Sequence, residues 1–256
     1  MSLSTVLFLF LAHLGVGIVC TLLFVGREAG VKFFRFNAGL AAILLAVALA
    51  FQFDPVLAVA EAALVLYWAT VGRMLARARP LIVAVIIGAG LTAIVLQALT
   101  VSAAWSLPAR ALTVASFLSS AALLGGACTA MILGHWYLVI PSMEVGLLQS
   151  IVKLHMASMV VRVAVVAAAV FVAIATWEPG MGPSFRYYIT SVSGIFFWQR
   201  VLFGLFGPGL LSYLTWETAK IRSTQSATGI LYVDFFTVVV GEVLAKYILL
   251  ATHVAV

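Results

Sequence analysis

The sequence predicts an all-helical membrane protein, a single transmembrane domain over residues 1–256 with about eight spans. Of its 256 residues, 65% are hydrophobic and 9% are charged, whereas soluble domains carry roughly 25% charged residues. The mean hydropathy is +1.22. The same composition excludes a disordered chain, because disorder requires few apolar residues and much charge. In a membrane protein, basic residues indicate which side faces the cytoplasm. We therefore interpret the net charge of +6 as a signal of membrane orientation, and we expect no nucleic-acid partner.

Apolar stretches near the 20-residue length of a membrane-spanning helix recur along the chain. The second and third are short and are expected to form a hairpin at Asp54-Pro55, unless the second begins within Val31–Phe36. The sixth is long enough to protrude from the bilayer, and Pro208 should kink the seventh. The first is expected to be a retained helix and not a signal peptide. The predicted spans are 5–25, 38–53, 56–72, 81–104, 111–139, 145–176, 189–216 and 229–254.

The basic residues of the predicted loops fall mostly on one side of the membrane. The richer side holds Arg27, Lys32, Arg35, Arg73, Arg77, Arg79, Lys220 and Arg222. The other side holds only Arg110 and Arg186. The positive-inside rule places the richer side in the cytoplasm, so an even number of spans puts both termini in the periplasm of a bacterial-type inner membrane.

The connections between the spans are short. The most turn-like is Glu178–Pro183, which contains two prolines and two glycines. No loop is long enough for a soluble domain, so we expect any soluble catalytic domain to belong to a partner subunit. Cys20 and Cys128 lie in apolar runs without a CxxC motif and are expected to be buried hydrophobes.

Several ionisable residues lie within the predicted spans, where they are costly unless paired. Arg162, Arg200 and Glu242 all fall near the bilayer midplane, so Glu242 is expected to pair with one of the two arginines. Lys246 follows Glu242 by one turn on the same face, and Asp234 lies earlier in the same span. Two interpretations remain open: charge pairs that lock helices together, or a polar route for protons beside a redox ligand.

The histidines are candidate cofactor ligands. If span 6 enters the membrane at Lys153, His135 and His155 lie at similar depth and can share one site, binding quinone carbonyls or ligating the iron of haem b. If it enters at Val145, His155 is about 15 Å deep and the pair is broken. His155, Ser158 and Arg162 lie on one helix face. A purely structural role, with each imidazole bonded to a neighbouring helix, is the third possibility. The sequence does not identify a metal.

The last span carries one recognisable pattern, Gly241-Glu242, three residues, Lys246, six residues, His253. This spacing resembles the last helix of the membrane-anchor subunit of dimethyl sulfoxide reductases, with Lys246 where that family has arginine. The resemblance covers 13 residues. It implies an eight-helix subunit that oxidises menaquinol for an iron–sulfur partner, with Glu242, Lys246 and His253 in corresponding positions.

Taken together, these patterns predict an integral membrane subunit of a respiratory or electron-transfer complex. It would bind a quinone, with haem b as an alternative cofactor, and pass electrons to partner subunits carrying haem or iron–sulfur centres. His135 and His155 would bind the cofactor, and Arg162, Arg200 and Glu242 would carry protons. If the site is at the outer face, Glu242, Lys246 and His253 have these roles instead. The competing hypotheses are a small-solute or proton transporter and a purely structural membrane anchor.

Overall fold

The computed structural model describes residues 3–140, 143–178 and 184–256, and all regular structure in these ranges is helical. Short 3-10 turns occur at Arg27–Ala29 and Val192–Gly194, and a π-helical turn at Leu202–Phe206. The turn expected at Pro141 and most of the turn expected at 178–183 lie outside the described residues. The α-helices are α1 Leu3–Leu22, α2 Gly30–Phe51, α3 Pro55–Thr70, α4 Arg79–Val101, α5 Leu107–Val139, α6 Val145–Ala175, α7 Phe185–Thr190, α8 Ile195–Val201, α9 Gly207–Lys220 and α10 Thr224–Thr252.

Helices α1 and α5 form the centre of the bundle, and both are buried around most of their circumference. Their axes cross closely at Gly17 and Gly125, where each glycine lies against the backbone of the other helix. A Cβ on Gly17 would overlap the carbonyl of Ala121. Small residues at such crossings let membrane helices pack through their backbones. Gly125 and Gly17 therefore allow the close approach of α5 and α1.

Helices α2, α3 and α4 form one side of the bundle. The predicted hairpin at Asp54-Pro55 is confirmed: the Asp54 carboxylate caps α3 by accepting hydrogen bonds from the backbone N–H groups of Val56 and Leu57, both at 3.0 Å. The Gln97 amide of α4 donates to the other Asp54 oxygen at 2.9 Å. Helix α2 begins at Gly30, one residue before the stretch Val31–Phe36 named in the alternative for span 2, so the hairpin and a longer second helix occur together.

The seventh span is built from several helical segments. Helix α8 passes into the π-helical turn Leu202–Phe206, and α9 starts immediately before Pro208. Proline has no N–H for the helical ladder, and π-helical turns commonly accommodate such irregularities. Within this turn Gly204 lies against Gly241 of α10, so that a Cβ on either glycine would overlap the other backbone.

In the described part of the chain, seven helical segments are long and apolar enough to cross a membrane. Helix α3, with 16 residues, is shorter. Large apolar side chains cover the outside of the bundle; examples are Ile43, Val160, Phe171, Phe206 and Phe236. The all-helical, multi-pass membrane prediction is thus confirmed, and the outer surface suits contact with a lipid bilayer.

The crossing of α1 and α5 predicts the effect of added methyl groups. Gly17→Ala should lower the free energy of unfolding in detergent by about 1–3 kcal/mol, because the new Cβ has no space. The matched control is Gly88→Ala, since a Cβ at Gly88 of α4 meets open space. Thermal unfolding monitored by circular dichroism measures both. Equal stability of the two variants would contradict the crossing.

Candidate functional site

The candidate site is a buried polar cluster centred on the Glu242 carboxylate in α10. Arg162 of α6 binds both carboxylate oxygens, with Nε 2.9 Å from Oε1 and Nη2 3.1 Å from Oε2. Arg200 of α8 donates to Oε1 at 2.8 Å. Lys246 lies one turn along α10 and donates to Oε2 at 3.2 Å. Glu242 therefore binds Arg162, Arg200 and Lys246 together, more cations than the sequence assigned to it.

Hydroxyl groups of α5 extend the cluster. The Ser120 hydroxyl donates to Glu242 Oε2 at 2.5 Å and accepts from Lys246 at 2.5 Å. His13 Nδ1 of α1 lies 3.3 Å from the same Ser120 oxygen. Nη1 of Arg162 donates to the hydroxyl and the carbonyl of Ser116, at 2.7 and 3.1 Å. Side chains from α1, α5, α6, α8 and α10 therefore meet at one point in the bundle core.

The cluster holds more positive than negative charge. Arg162, Arg200 and Lys246 are cations facing the single Glu242 carboxylate, and every one of them is buried. Buried ions cost several kcal/mol each unless they are paired and hydrogen-bonded. Among the described residues, Nε and Nη1 of Arg200 have no hydrogen-bond partner. The core thus keeps hydrogen-bond donors available on Arg200.

Helix periodicity explains how these side chains converge. Glu242 and Lys246 are four residues apart, as are Ser116 and Ser120, so each pair lies on one helix face. Arg200 fits beside α10 because Gly204 and Gly241 carry no side chains there.

The structure separates the two histidines that the sequence grouped as one possible site. Helix α6 begins at Val145, as the predicted span 145–176 has it. His155 packs against Gly126 of α5, and its Nε2 lies 2.7 Å from Oδ2 of Asp234. His135 lies two and a half turns further along α5, about 13 Å, where it is exposed and bonded to the Tyr232 hydroxyl at 2.8 Å.

His253 ends α10 in the left-handed backbone conformation, with φ of 59°. Its ring packs edge-on against Trp105 with 5.7 Å between centroids. The turn directs the following residues back into the protein, where Ala255 and Val256 are buried. The carbonyl of Val256 accepts from Nη2 of Arg162 at 3.1 Å, so this segment lies against the Glu242 cluster.

A cavity of about 770 Å³ opens beside His253, where α5 begins and α6 and α10 end. Its walls are mostly apolar and include the aromatic rings of Trp105, Phe185 and Tyr188. Ala255 borders this cavity and also a small gap next to Arg162 and Lys246. The segment 254–256 thus separates the cavity from the cationic cluster.

Sequence reasoning missed several members of the cluster. His13 was assigned no partner, and the hydroxyls of Ser116 and Ser120 look like ordinary small residues of an apolar helix. The spacing of four between the two serines, at the depth of Arg162, is the only signal that points to them. Nothing in the sequence indicates that the Val256 carbonyl caps Arg162.

Comparisons with protein-family models, curated proteins and solved structures find no match for this chain. In the described ranges no group of three or more His, Cys, Asp or Glu side chains could hold a metal ion. The four histidines contact different partners: Ser120, Tyr232, Asp234 and Trp105.

Removal of the Glu242 charge should destabilise the protein strongly. Glu242→Gln leaves Arg162, Arg200 and Lys246 without their common anion, and breaking a buried ion pair costs about 3–5 kcal/mol. We expect low yield or early unfolding in a detergent melt. Adding Lys246→Met should recover part of the loss, because it removes one uncompensated charge.

The matched control is Glu217→Gln, which breaks the exposed pair with Lys220. Exposed pairs contribute about 1 kcal/mol or less, so this variant should melt like the wild type. Wild-type stability of Glu242→Gln would show that the cluster does not hold the helices together.

Proposed function

We propose that this protein is an integral membrane subunit of an electron-transfer complex and that it binds a quinone in the cavity beside His253. The observation that carries the proposal is the juxtaposition of that cavity with the buried Glu242 cluster. Its volume lies within the range of about 300–1,000 Å³ typical of small-molecule sites.

The walls of the cavity suit a quinone. A quinone ring is flat and apolar apart from its two carbonyl oxygens, so it needs aromatic or aliphatic walls and few hydrogen-bond donors. Trp105, Phe185 and Tyr188 provide rings, while the His253 imidazole and the Trp105 indole can donate to a carbonyl. A quinone in this cavity corresponds to the alternative in which the site lies at the outer face and is formed by Glu242, Lys246 and His253.

Quinone chemistry also requires groups that exchange protons. Two protons are released for every two electrons when a quinol is oxidised, and they need titratable groups close to the ring. Lys246, Ser120, Glu242 and His13 form a continuous chain of hydrogen-bond contacts behind segment 254–256. In this proposal the chain conducts protons and Arg162 and Arg200 keep Glu242 in place.

The electrons pass to or from partner subunits carrying haem or iron–sulfur centres. The resemblance of the last helix to the membrane anchor of dimethyl sulfoxide reductases supports this assignment. The earlier assignment of the cofactor to His135 and His155 receives less support, because different helices engage the two rings. Haem b remains the alternative cofactor.

We further propose that α3 is an eighth span, that both termini are periplasmic, and that the membrane is a bacterial-type inner membrane. Helix α3 connects the C-terminal end of α2, at Phe51, to the N-terminal end of α4, at Arg79. Helices α2 and α4 are each long enough to cross a membrane. The excess of basic residues near the α3–α4 connection supports a cytoplasmic location for that end.

Cysteine labelling in intact cells tests this topology. Arg77→Cys in the α3–α4 connection and Ala103→Cys in the α4–α5 connection are both exposed positions. A membrane-impermeant maleimide should label Ala103→Cys in cells with a permeable outer membrane. It should label Arg77→Cys only after the inner membrane is opened. The reverse pattern would invert the proposed orientation.

Quinone binding is tested by a side chain that fills the cavity. Ala173→Phe places a ring among the lining residues and should weaken binding of a short-chain naphthoquinone at least tenfold, measured by quenching of tryptophan fluorescence. Ala168→Phe, on an exposed part of α6, is the matched control and should bind like the wild type. His253→Ala should weaken binding by a smaller factor.

Two results would contradict the quinone proposal: no saturable quenching in the wild type, or equal affinity of Ala173→Phe and Ala168→Phe. The absorption spectrum of the purified protein addresses the haem alternative. A Soret band that is lost in the double variant His135→Ala, His155→Ala would establish haem ligation by those residues.

A transporter remains the second candidate function, favoured by the π-helical turn before Pro208. Interrupted helices line substrate sites in many transporters. Solute-dependent flux in proteoliposomes, without quinone binding, would select this function. The third candidate, a structural anchor, predicts neither flux nor quinone binding.

A further inference from the structure

A second buried titratable site lies in α6 and α10, apart from the Glu242 cluster. His155 and Asp234 face each other with 2.7 Å between Nε2 and Oδ2, and both side chains are fully buried. In the described part of the protein, Nε2 of His155 and Oδ2 of Asp234 are within ion-pair distance but do not meet hydrogen-bond geometry, and Nδ1 of His155 and Oδ1 of Asp234 also have no hydrogen-bond partner. Buried polar side chains kept for packing alone normally have their hydrogen bonds satisfied.

Helix geometry places this pair between the Glu242 cluster and the end of the bundle that carries Arg73–Arg79. Asp234 precedes Glu242 by eight residues in α10, about 12 Å, and His155 precedes Arg162 by seven residues in α6, about 10 Å. Ser158 lies between them on α6, with its hydroxyl bonded to the His155 carbonyl at 2.7 Å. Titratable groups therefore occur at two levels along the same pair of helices.

We propose that the His155–Asp234 pair is a proton-binding site that supplies the Glu242 cluster from the arginine-bearing end. With a neutral imidazole the pair has one negative charge, and a proton added at Nδ1 of His155 makes it neutral overall. Only a proton moves, so the step needs no oxidant or reductant. Use of that proton for quinone reduction rests on the proposed function, whereas proton binding by the pair does not.

The groups around the pair favour one exchangeable proton. Helix α9 packs against α6 and α10, and its buried hydroxyls, Ser212 and Thr215, donate to carbonyls of α9 itself. Helix α5 contributes Gly126, which lies beside His155. None of these is charged, and among the described residues His155 is the one ion-pair partner of Asp234. The titratable or charged groups on the surrounding helices are His13, Cys20, Arg110, Cys128, His135, Tyr137, Lys153, Arg162, Arg200, Tyr213, Glu217, Lys220, Tyr232, Glu242, Lys246 and Tyr247.

Infrared difference spectroscopy of the purified full chain between about pH 5 and pH 8, without quinone, tests proton binding. We expect a component with carboxyl and imidazole bands that is lost in both Asp234→Asn and His155→Gln. Glu144→Gln changes an exposed carboxylate and should leave that component intact. Its persistence in Asp234→Asn would overturn the proposal.

The wild type provides a test that does not depend on folding of these variants. Nitrogen-15 NMR of histidine-labelled protein reports the protonation state of each imidazole. A buried imidazole whose protonation state changes with pH, and whose signal persists in His13→Gln, supports the site. A titration confined to His135 and His253, which are exposed, would overturn it.

The link to the quinone is tested separately in proteoliposomes. Reduction of a bound naphthoquinone by two equivalents of reduced methyl viologen, a one-electron donor that releases no proton on oxidation, consumes two protons per quinone, which an entrapped or external pH dye can follow. Asp234→Asn should slow uptake from the Arg73–Arg79 side at least tenfold while quinone binding is unchanged. Unchanged uptake would overturn the supply route. Absence of quinone binding in the wild type would instead refute the proposed function, and the infrared result would still decide the proton site.

Discussion

The structure depends on one carboxylate that neutralises charge from several helices. Glu242 binds cations from α6, α8 and α10, and a hydroxyl from α5 completes its shell. In an apolar medium none of these groups can be left alone, because water is not present to replace a lost partner. The helices that carry them must therefore meet at one depth and in one rotation. Packing between apolar faces does not impose such a restriction, since lipid tails solvate leucine as well as another helix does.

The same constraint links the core to the cavity. Arg162 is held by Glu242 on one side and by the carbonyl of Val256 on the other. The left-handed turn at His253 is what brings that carbonyl inward. A molecule in the cavity would touch the segment that caps the arginine, so binding and the arrangement of charges are mechanically connected. We consider this connection the main reason to associate the cavity with proton chemistry.

Much of the helical architecture could be predicted from sequence, because a bilayer requires long apolar stretches and the composition shows them directly. The meeting of Arg162, Arg200 and Glu242 could be predicted because each lies near the middle of its apolar stretch. The pairing of histidines was not: periodicity relates residues within one helix, whereas the relative height of neighbouring helices depends on where each begins. His155 packs beside Gly126 of α5, which is nine residues, or about 13 Å, along that helix from His135. The capping of Arg162 by a carbonyl has no sequence signal, since every residue has one.

The shortness of α3 has a consequence for the surrounding lipid. Its 16 residues rise about 24 Å, compared with about 30 Å of hydrocarbon in an average bilayer. Helix α3 also lies at the outside of the bundle, with a single buried stripe formed by Leu57, Ala60 and Leu64. In the proposed eight-span topology, hydrophobic mismatch at this edge favours local thinning of the membrane or lipids with shorter acyl chains. Acyl-chain length should therefore influence how lipid solvates the α2–α4 side of the protein. The choice of lipid for reconstitution is important for this fold.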